Sequence, residues 1–195
     1  MPPSIPDAAD RAMASVATAY RYFSSPDDLW WEASDAAIGF QRISDEALQQ
    51  VNDAGNDPQA RLETLIRSLG FRMLDDQLPY RRAAKSALDQ RFRHAAAGGS
   101  EGVLVRQGRR NTQIRRAIDP LAGTLPESDL ERIGHALGLV IGAEAMISLT
   151  DAVGLDVPSA KGSLLDAGRW LLAGALAELA GQKRRPPRTR ATRAT

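Results

Sequence analysis

Near the end of the chain, Leu164, Leu165, Gly168, Leu171, Leu172, Ala175, Leu176 and Leu179 recur at the three- and four-residue spacing of one helix face. A strand alternates its side chains and does not produce that pattern. The stripe is wider than one helix neighbour needs, so more than one element must cover it. Related stripes run through the rest of the sequence: Leu29, Ala33, Ala36, Phe40, Ile43, Ala47 and Val51; then Leu62, Leu65, Ile66, Leu69 and Met73; then Ile114, Ala117, Ile118 and Leu121. No run alternates and no segment repeats. An all-α fold follows.

Boundary signals divide these stripes. Ser4 with Asp7 three residues on marks a short helix to about Ala12, Ser15 a second from Val16 to Phe23, and Ser25 with Pro26 the start of a long third. That third helix is expected to run through Val51 to the Asn52–Asn56 loop, after which Asp57-Pro58 restarts the chain. Another helix spans roughly Pro79 to Arg93. Ser128-Asp129-Leu130-Glu131 opens, or lies in the first turn of, a helix expected to reach about Val153, and Asp156 with Pro158 begins the last.

The 195 residues, 43% hydrophobic and 25% charged, suffice for one sizeable core or two small ones. With no cysteine, a disulfide framework and thiol catalysis are excluded. The near-balance of 25 Lys+Arg against 24 Asp+Glu conceals a split: residues 183–195 carry six bases and no acid, leaving a net charge of −5 on residues 1–182. That proline-containing tail reads as a solvated extension rather than a nucleic-acid-binding arm. The N-terminus lacks the basic and apolar regions of a signal peptide. Leu137 to Thr150, the most apolar stretch, is interrupted by Glu144 and is shorter than the roughly 20 residues of a membrane span. A cytoplasmic protein with no membrane partner is expected.

Two short helices joined at Met13-Ala14 and followed by a long one have the spacing of a helix-turn-helix. The second helix of such a unit enters the major groove and needs hydroxyls, an amide or a guanidinium on its outer face, with an aromatic residue behind to seat it. Val16 to Phe23 offers this mixture. Thr18 suits a thymine methyl or base edge, Tyr20 and Arg21 suit phosphates, and Phe23 suits the inner side. Residues 8–25, with Leu29 after them, resemble the second and third helices of the DNA-binding domain of TetR/AcrR-type transcriptional regulators. The run Thr18-x-Tyr20-Arg21-Tyr22-Phe23 is the most specific part.

The resemblance implies a double-stranded DNA operator contacted through Ser15, Val16, Thr18, Ala19, Tyr20, Arg21 and Tyr22, a homodimer, and an apolar or amphipathic small-molecule effector whose binding relieves repression. It implies a partial DNA-binding head over residues 1–25, a ligand-binding and dimerisation domain over 26–182, and the basic tail. Two positions depart from the family pattern. Met13 occupies a turn position where glycine is usual, which predicts a strained or altered turn, and Pro26 replaces a phosphate-contacting base. A further helix usually precedes this point in the family. Its absence predicts that Ile5, Ala9, Ala12 and Phe23 lose partners and that DNA affinity is poor; a start assigned inside a longer reading frame, or a headless sensing relative that does not bind DNA, would each account for it.

Gly134, Gly138 and Gly142 at four-residue intervals predict close approach of a partner helix, since glycine inside a helix costs about 1 kcal/mol relative to alanine. The resemblance makes these residues, with Leu164, Leu171, Leu172 and Leu176, a dimer interface built as a four-helix bundle. Trp30, Phe40, Leu69, Met73, Tyr80 and Phe92 are the candidate pocket lining, with Arg72 or Arg82 as polar handles; ordinary core is the competing reading. Catalysis finds no support. His94 and His135 have no metal-ligand spacing, Asp75-Asp76 and Asp27-Asp28 diverge on a helix, and Gly98-Gly99 lacks the Lys-Ser/Thr of a phosphate loop. Glu144 inside an apolar run is expected to be a buried carboxylate with a structural partner. No catalytic residue, metal or cofactor is expected.

Overall fold

The computed structural model describes residues 4–26, 28–29, 32–33, 39–96 and 109–183, and every element among them is helical. Two short helices, α1 (Ile5–Arg11) and α2 (Val16–Tyr22), pack on each other. Next come α3 (Phe40–Asp53) and α4 (Pro58–Leu65), the latter continuing through a π-helical segment (Ile66–Phe71) into α5 (Arg72–Asp75). The rest are α6 (Gln77–Ala96), α7 (Arg109–Ala117), α8 (Glu127–Gly138), α9 (Ala143–Ile147) with a π turn at Ser148–Ala152, and the long α10 (Val157–Lys183).

Several boundaries follow the sequence signals. Asp57 accepts from the backbone N–H groups of Gln59 and Ala60, and Pro58 needs no N–H partner in the first turn of α4. Asp156 accepts from Ser159 N at 2.9 Å where α10 begins. Other boundaries differ. The helix expected from Leu29 through Val51 is broken by Gly39, whose φ of 64° lies in the left-handed region, and α3 starts immediately after it. α8 begins at Glu127 behind Pro126, with Ser128 in its first turn, the second of the two placements that the sequence allows.

The helix expected to reach Val153 ends at Gly138. At the break the Arg110 guanidinium donates to Gly138 O at 3.4 Å and Glu144 Oε2 at 2.7 Å, and Gly142 is extended against it, where a Cβ would meet the guanidinium at 2.5 Å. Glu144 is therefore an exposed carboxylate paired with Arg110, not a buried one. By length and composition the run Glu127–Ala152 would suffice for a membrane span; Leu130, Ile133, Leu137, Ile141 and Met146 within it belong to the core.

That core unites Ile43, Ala47 and Val51 of α3 with Leu62, Leu65, Ile66 and Leu69, Ile114 and Ala117 of α7 with Ile118 just after it, and Leu164, Leu165, Leu172 and Leu179 of α10. Glycine makes room for neighbouring side chains where α4 and the π segment meet α10. A Cβ on Gly168 would strike the Ile66 side chain, and one on Gly70 would lie 3.1 Å from Leu164 Cδ1. Gly134 and Gly138, by contrast, have no tight neighbour: the nearest atom to a Cβ at Gly134 is Ile114 Cγ2 at 3.9 Å, and none lies within 4 Å at Gly138. Ion pairs brace the crossing from outside. Arg169 grips Glu63 at 2.8 and 2.9 Å, and Lys161 holds Asp75 at 2.6 and 2.8 Å. Arg81 holds both oxygens of Asp151 at 2.6 Å, which with the Thr150 hydroxyl keeps that carboxyl down at about 2.

Opposite outcomes follow at two glycines. Gly168→Ala is expected to destabilise by about 1–3 kcal/mol through overpacking, less in an Ile66→Val background. Gly134→Ala should stabilise by up to about 1 kcal/mol. Urea unfolding of each variant measures both effects; a destabilised Gly134→Ala would contradict the open space around that residue within the chain.

Candidate functional site

Local chemistry fixes the α1–α2 pair. Ser4 and Asp7 close a reciprocal capping box: Asp7 N donates to Ser4 Oγ at 3.2 Å and Ser4 N to Asp7 Oδ2 at 3.0 Å. Hydrogen bonds from the Ser4 hydroxyl and then the Ser4 backbone hold the Asp7 carboxyl below its usual range. Ser15 caps α2, accepting from Thr18 N at 3.0 Å, and its hydroxyl lies 2.8 Å from Thr18 Oγ1. Between the helices Met13 takes the left-handed conformation, φ 51°, with its side chain 95% exposed. The strain foreseen at that position is present.

Ile5, Ala9 and Ala19 are buried together, with Phe23 and Leu29 partly buried against them, in a cluster separate from the main core. Ile5 and Ala9 thus have partners, contrary to the expectation from sequence, whereas Ala12 is exposed. The burial of Ala19 turns the rest of α2 outward. Ser15, Val16, Thr18, Tyr20, Arg21 and Tyr22 are exposed, Tyr22 by 76%, and they spread hydroxyls, aromatic rings and a guanidinium around the sides of the helix away from Ala19. Ala19, expected among the contacting residues, faces inward instead. Arg11 and Arg21 are balanced by Asp7 and Asp10, so the pair carries no net charge.

A second feature is a cleft of about 630 Å³ bounded by α3, the π segment, α5 and the start of α6. Ile43, Phe71, Pro79 and Tyr80 supply apolar surface, and Arg67, Ser68, Arg72, Asp75 and Asp76 supply polar groups. Burial pushes the Tyr80 hydroxyl above its ordinary range, against the opposing effect of Arg72. Of the residues expected to line a pocket, Tyr80 and Arg72 do so here. Leu69 is in the core, Met73 packs against it, and Phe92 is 72% exposed on α6. Arg82 is exposed and does not line the cleft. Trp30 and the Phe40 side chain lie outside the described residues.

Sequence periodicity missed Arg67 and Phe71. Residues five apart on an α-helix diverge by about 140°, which would separate Arg67 from Arg72. The wider π turn, closed by i→i+5 bonds, brings both to the same mouth.

On another side of the protein, Ile133 and Ala136 of α8 and Trp170, Leu171, Gly174 and Ala175 of α10 line a groove of about 320 Å³, with Asp129, Arg132 and Glu178 also along it. Trp170 is 72% exposed. Among the expected interface residues, Leu164 and Leu172 are buried within the chain, Leu171 and Leu176 are half-buried, and Gly134 and Gly138 are partly exposed on α8. Gly142 lies beyond the end of that helix, so the three glycines do not form one stripe. His135 is exposed, and the His94 side chain is outside the described residues.

No family model matches the chain, and no curated protein or solved structure matches it.

The turn between α1 and α2 offers a direct test. Met13→Gly removes the left-handed penalty of about 1–2 kcal/mol, offset in part by the greater freedom of glycine when unfolded, and is expected to slow amide hydrogen exchange in α1 and α2. Met13→Val should accelerate it. Faster exchange in Met13→Gly than in the parent would contradict the turn geometry.

Proposed function

We propose that the protein is a TetR-like DNA-binding transcriptional regulator, acting as a repressor, dimeric, and released from its operator by a small molecule held by its helical core. The observation that carries this reading is the exposure of α2: Val16, Thr18, Tyr20, Arg21 and Tyr22 all reach solvent on a serine-capped helix seated by Ala19 against α1. Hydroxyl, phenol and guanidinium groups at such spacing suit base edges and phosphates of a major groove. The groove between α8 and α10, edged by the exposed Trp170 of α10, supports pairing of two copies through these helices. In a dimer, two copies of α2 about 34–36 Å apart would meet successive turns of one duplex face, and a ligand that changed this spacing would release it.

The alternative is a ligand-binding or dimerisation module of the same build that does not contact DNA. The charge balance of α1 and α2 favours it, because nonspecific affinity depends on net neutralisation of phosphates.

Fluorescence anisotropy of the full chain with duplexes tiled across its own promoter region separates the two readings. A regulator is expected to bind one duplex with affinity that falls steeply as salt rises, and Arg21→Ala should weaken binding and lower the salt slope by about one. Absence of binding to every duplex at low salt would leave the module reading alone.

A further inference from the structure

We propose that the cleft between α3, the π segment and α6 binds an amphipathic carboxylate: a compact apolar or aromatic body ending in one anionic group. The proposal rests on the effector element of the function given above and specifies the chemistry of that effector. Its volume, about 630 Å³, matches small-molecule sites, and its surface divides into an apolar part and a cationic part. Ile43 and Tyr80 are buried behind the cleft, while Phe71 and Pro79 are half-buried and complete an aromatic and aliphatic floor.

The charged groups around the cleft sort by their partners. Asp75 is engaged through both oxygens by Lys161, at 2.6 and 2.8 Å. Arg72 reaches Glu46 only through one long contact of 3.5 Å, with both side chains substantially exposed, an arrangement worth little in water. Among the described residues Arg67 has no carboxylate at ion-pair distance: Glu63, which feels its charge from further off, is gripped by Arg169 at 2.8 and 2.9 Å, and the Arg67 guanidinium lies over Phe71, 5.4 Å from the ring centre. Lys161 lies 5.1 Å from the centre of the same ring. Thus one aromatic ring in the cleft wall carries two cations, and the widened turn places Arg72 at the same mouth.

Arg67 and Arg72 therefore offer planar donor forks to an incoming carboxylate, the group that guanidinium geometry matches best. Among the described residues that line the cleft, Asp76, exposed at the rim, opposes an anion, whereas Glu46, off the lining, is held by Arg42 at 2.6 Å. The position of Asp76 makes a prediction of opposite sign available. Removing an arginine should weaken the complex, and removing Asp76 should strengthen it.

The experiment is calorimetric titration of the full chain, without DNA, with 4-phenylbutyrate, its neutral amide and the corresponding 4-phenylbutylamine. The carboxylate is expected to bind saturably at or below millimolar concentration, the amide at least about tenfold more weakly, and the amine not at all. Arg67→Gln should weaken carboxylate binding by about tenfold, and Asp76→Asn should tighten it by about threefold, with helical circular dichroism unchanged in both. Equal binding of acid and amide, indifference to Arg67→Gln with the fold intact, or no binding of the acid at millimolar concentration would each overturn the assignment. Carboxylate binding in a chain that never binds DNA would leave the cleft assignment standing and remove the regulator reading; DNA binding without carboxylate binding would do the reverse.

Discussion

A single buried guanidinium sets the relation of three helices. Arg61, 6% exposed near the start of α4, has no ion-paired carboxylate among the described residues and donates instead to Arg116 O at 2.7 Å, Gly55 O at 2.8 Å, Ala117 O at 3.3 Å and Asn52 Oδ1 at 3.4 Å. Arg116 and Ala117 are the last residues of α7, and Asn52 and Gly55 flank the end of α3. Helix C-termini expose unpaired carbonyls with partial negative charge, so one planar cation at two such ends satisfies acceptors that burial would otherwise leave unmet. Nearby, Gln113 donates to Ser44 at 2.7 Å in a second buried polar contact between α7 and α3. Register between α3 and α4, and hence the placement of Ile43 opposite the π segment, follows from these contacts.

The π segment is the counterpart of that anchor. Its extra residue lets Gly70 face Leu164 while Arg67 and Phe71 turn toward the cleft, so one irregularity serves both the close crossing with α10 and the surface bordering α3. Arg169 with Glu63 and Lys161 with Asp75 fix the crossing from the outside. The core and the cleft are consequently parts of the same packing arrangement: a shift at the α4–α10 crossing moves the residues that line the opening.

Local signals made much of this legible. Caps at Ser4, Ser15 and Asp57 depend on neighbours within three residues, and the stripes Ile43–Ala47–Val51 and Leu62–Leu65–Ile66–Leu69 report directly which side is buried. The irregularities were not legible. Gly39 permits a left-handed residue but nothing adjacent demands one. The break after Gly138 depends on Arg110, 28 residues earlier in the chain, and the π turn depends on how closely α10 approaches. Regular spacing drew attention to Gly134 and Gly138, where no tight neighbour lies within the chain, whereas the glycines that permit contact, Gly70 against Leu164 and Gly168 against Ile66, meet partners about a hundred residues away in sequence. Of the α2 face, everything foreseen is exposed except Ala19, because a helix of seven residues must turn one small side chain inward to be seated at all. Arg61 gave no signal, since arginine inside an apolar stripe is ordinarily read as solvent-facing.

In the proposed regulator, these parts form a chain of dependence: α2 reads the duplex, α8 and α10 set the distance between two copies of it, and the Arg61-anchored core carries the ligand cleft. The absence of native cysteine permits the most direct test of that account. A spin label attached at Ala17→Cys, exposed on α2 and outside the named contact residues, gives one probe per chain, and pulsed dipolar spectroscopy then measures the distance between the two α2 helices. In the presence of bound duplex the account predicts a label separation consistent with one helical turn of DNA, about 34–36 Å. The lack of any dipolar coupling, or a separation incompatible with adjacent grooves, would contradict it.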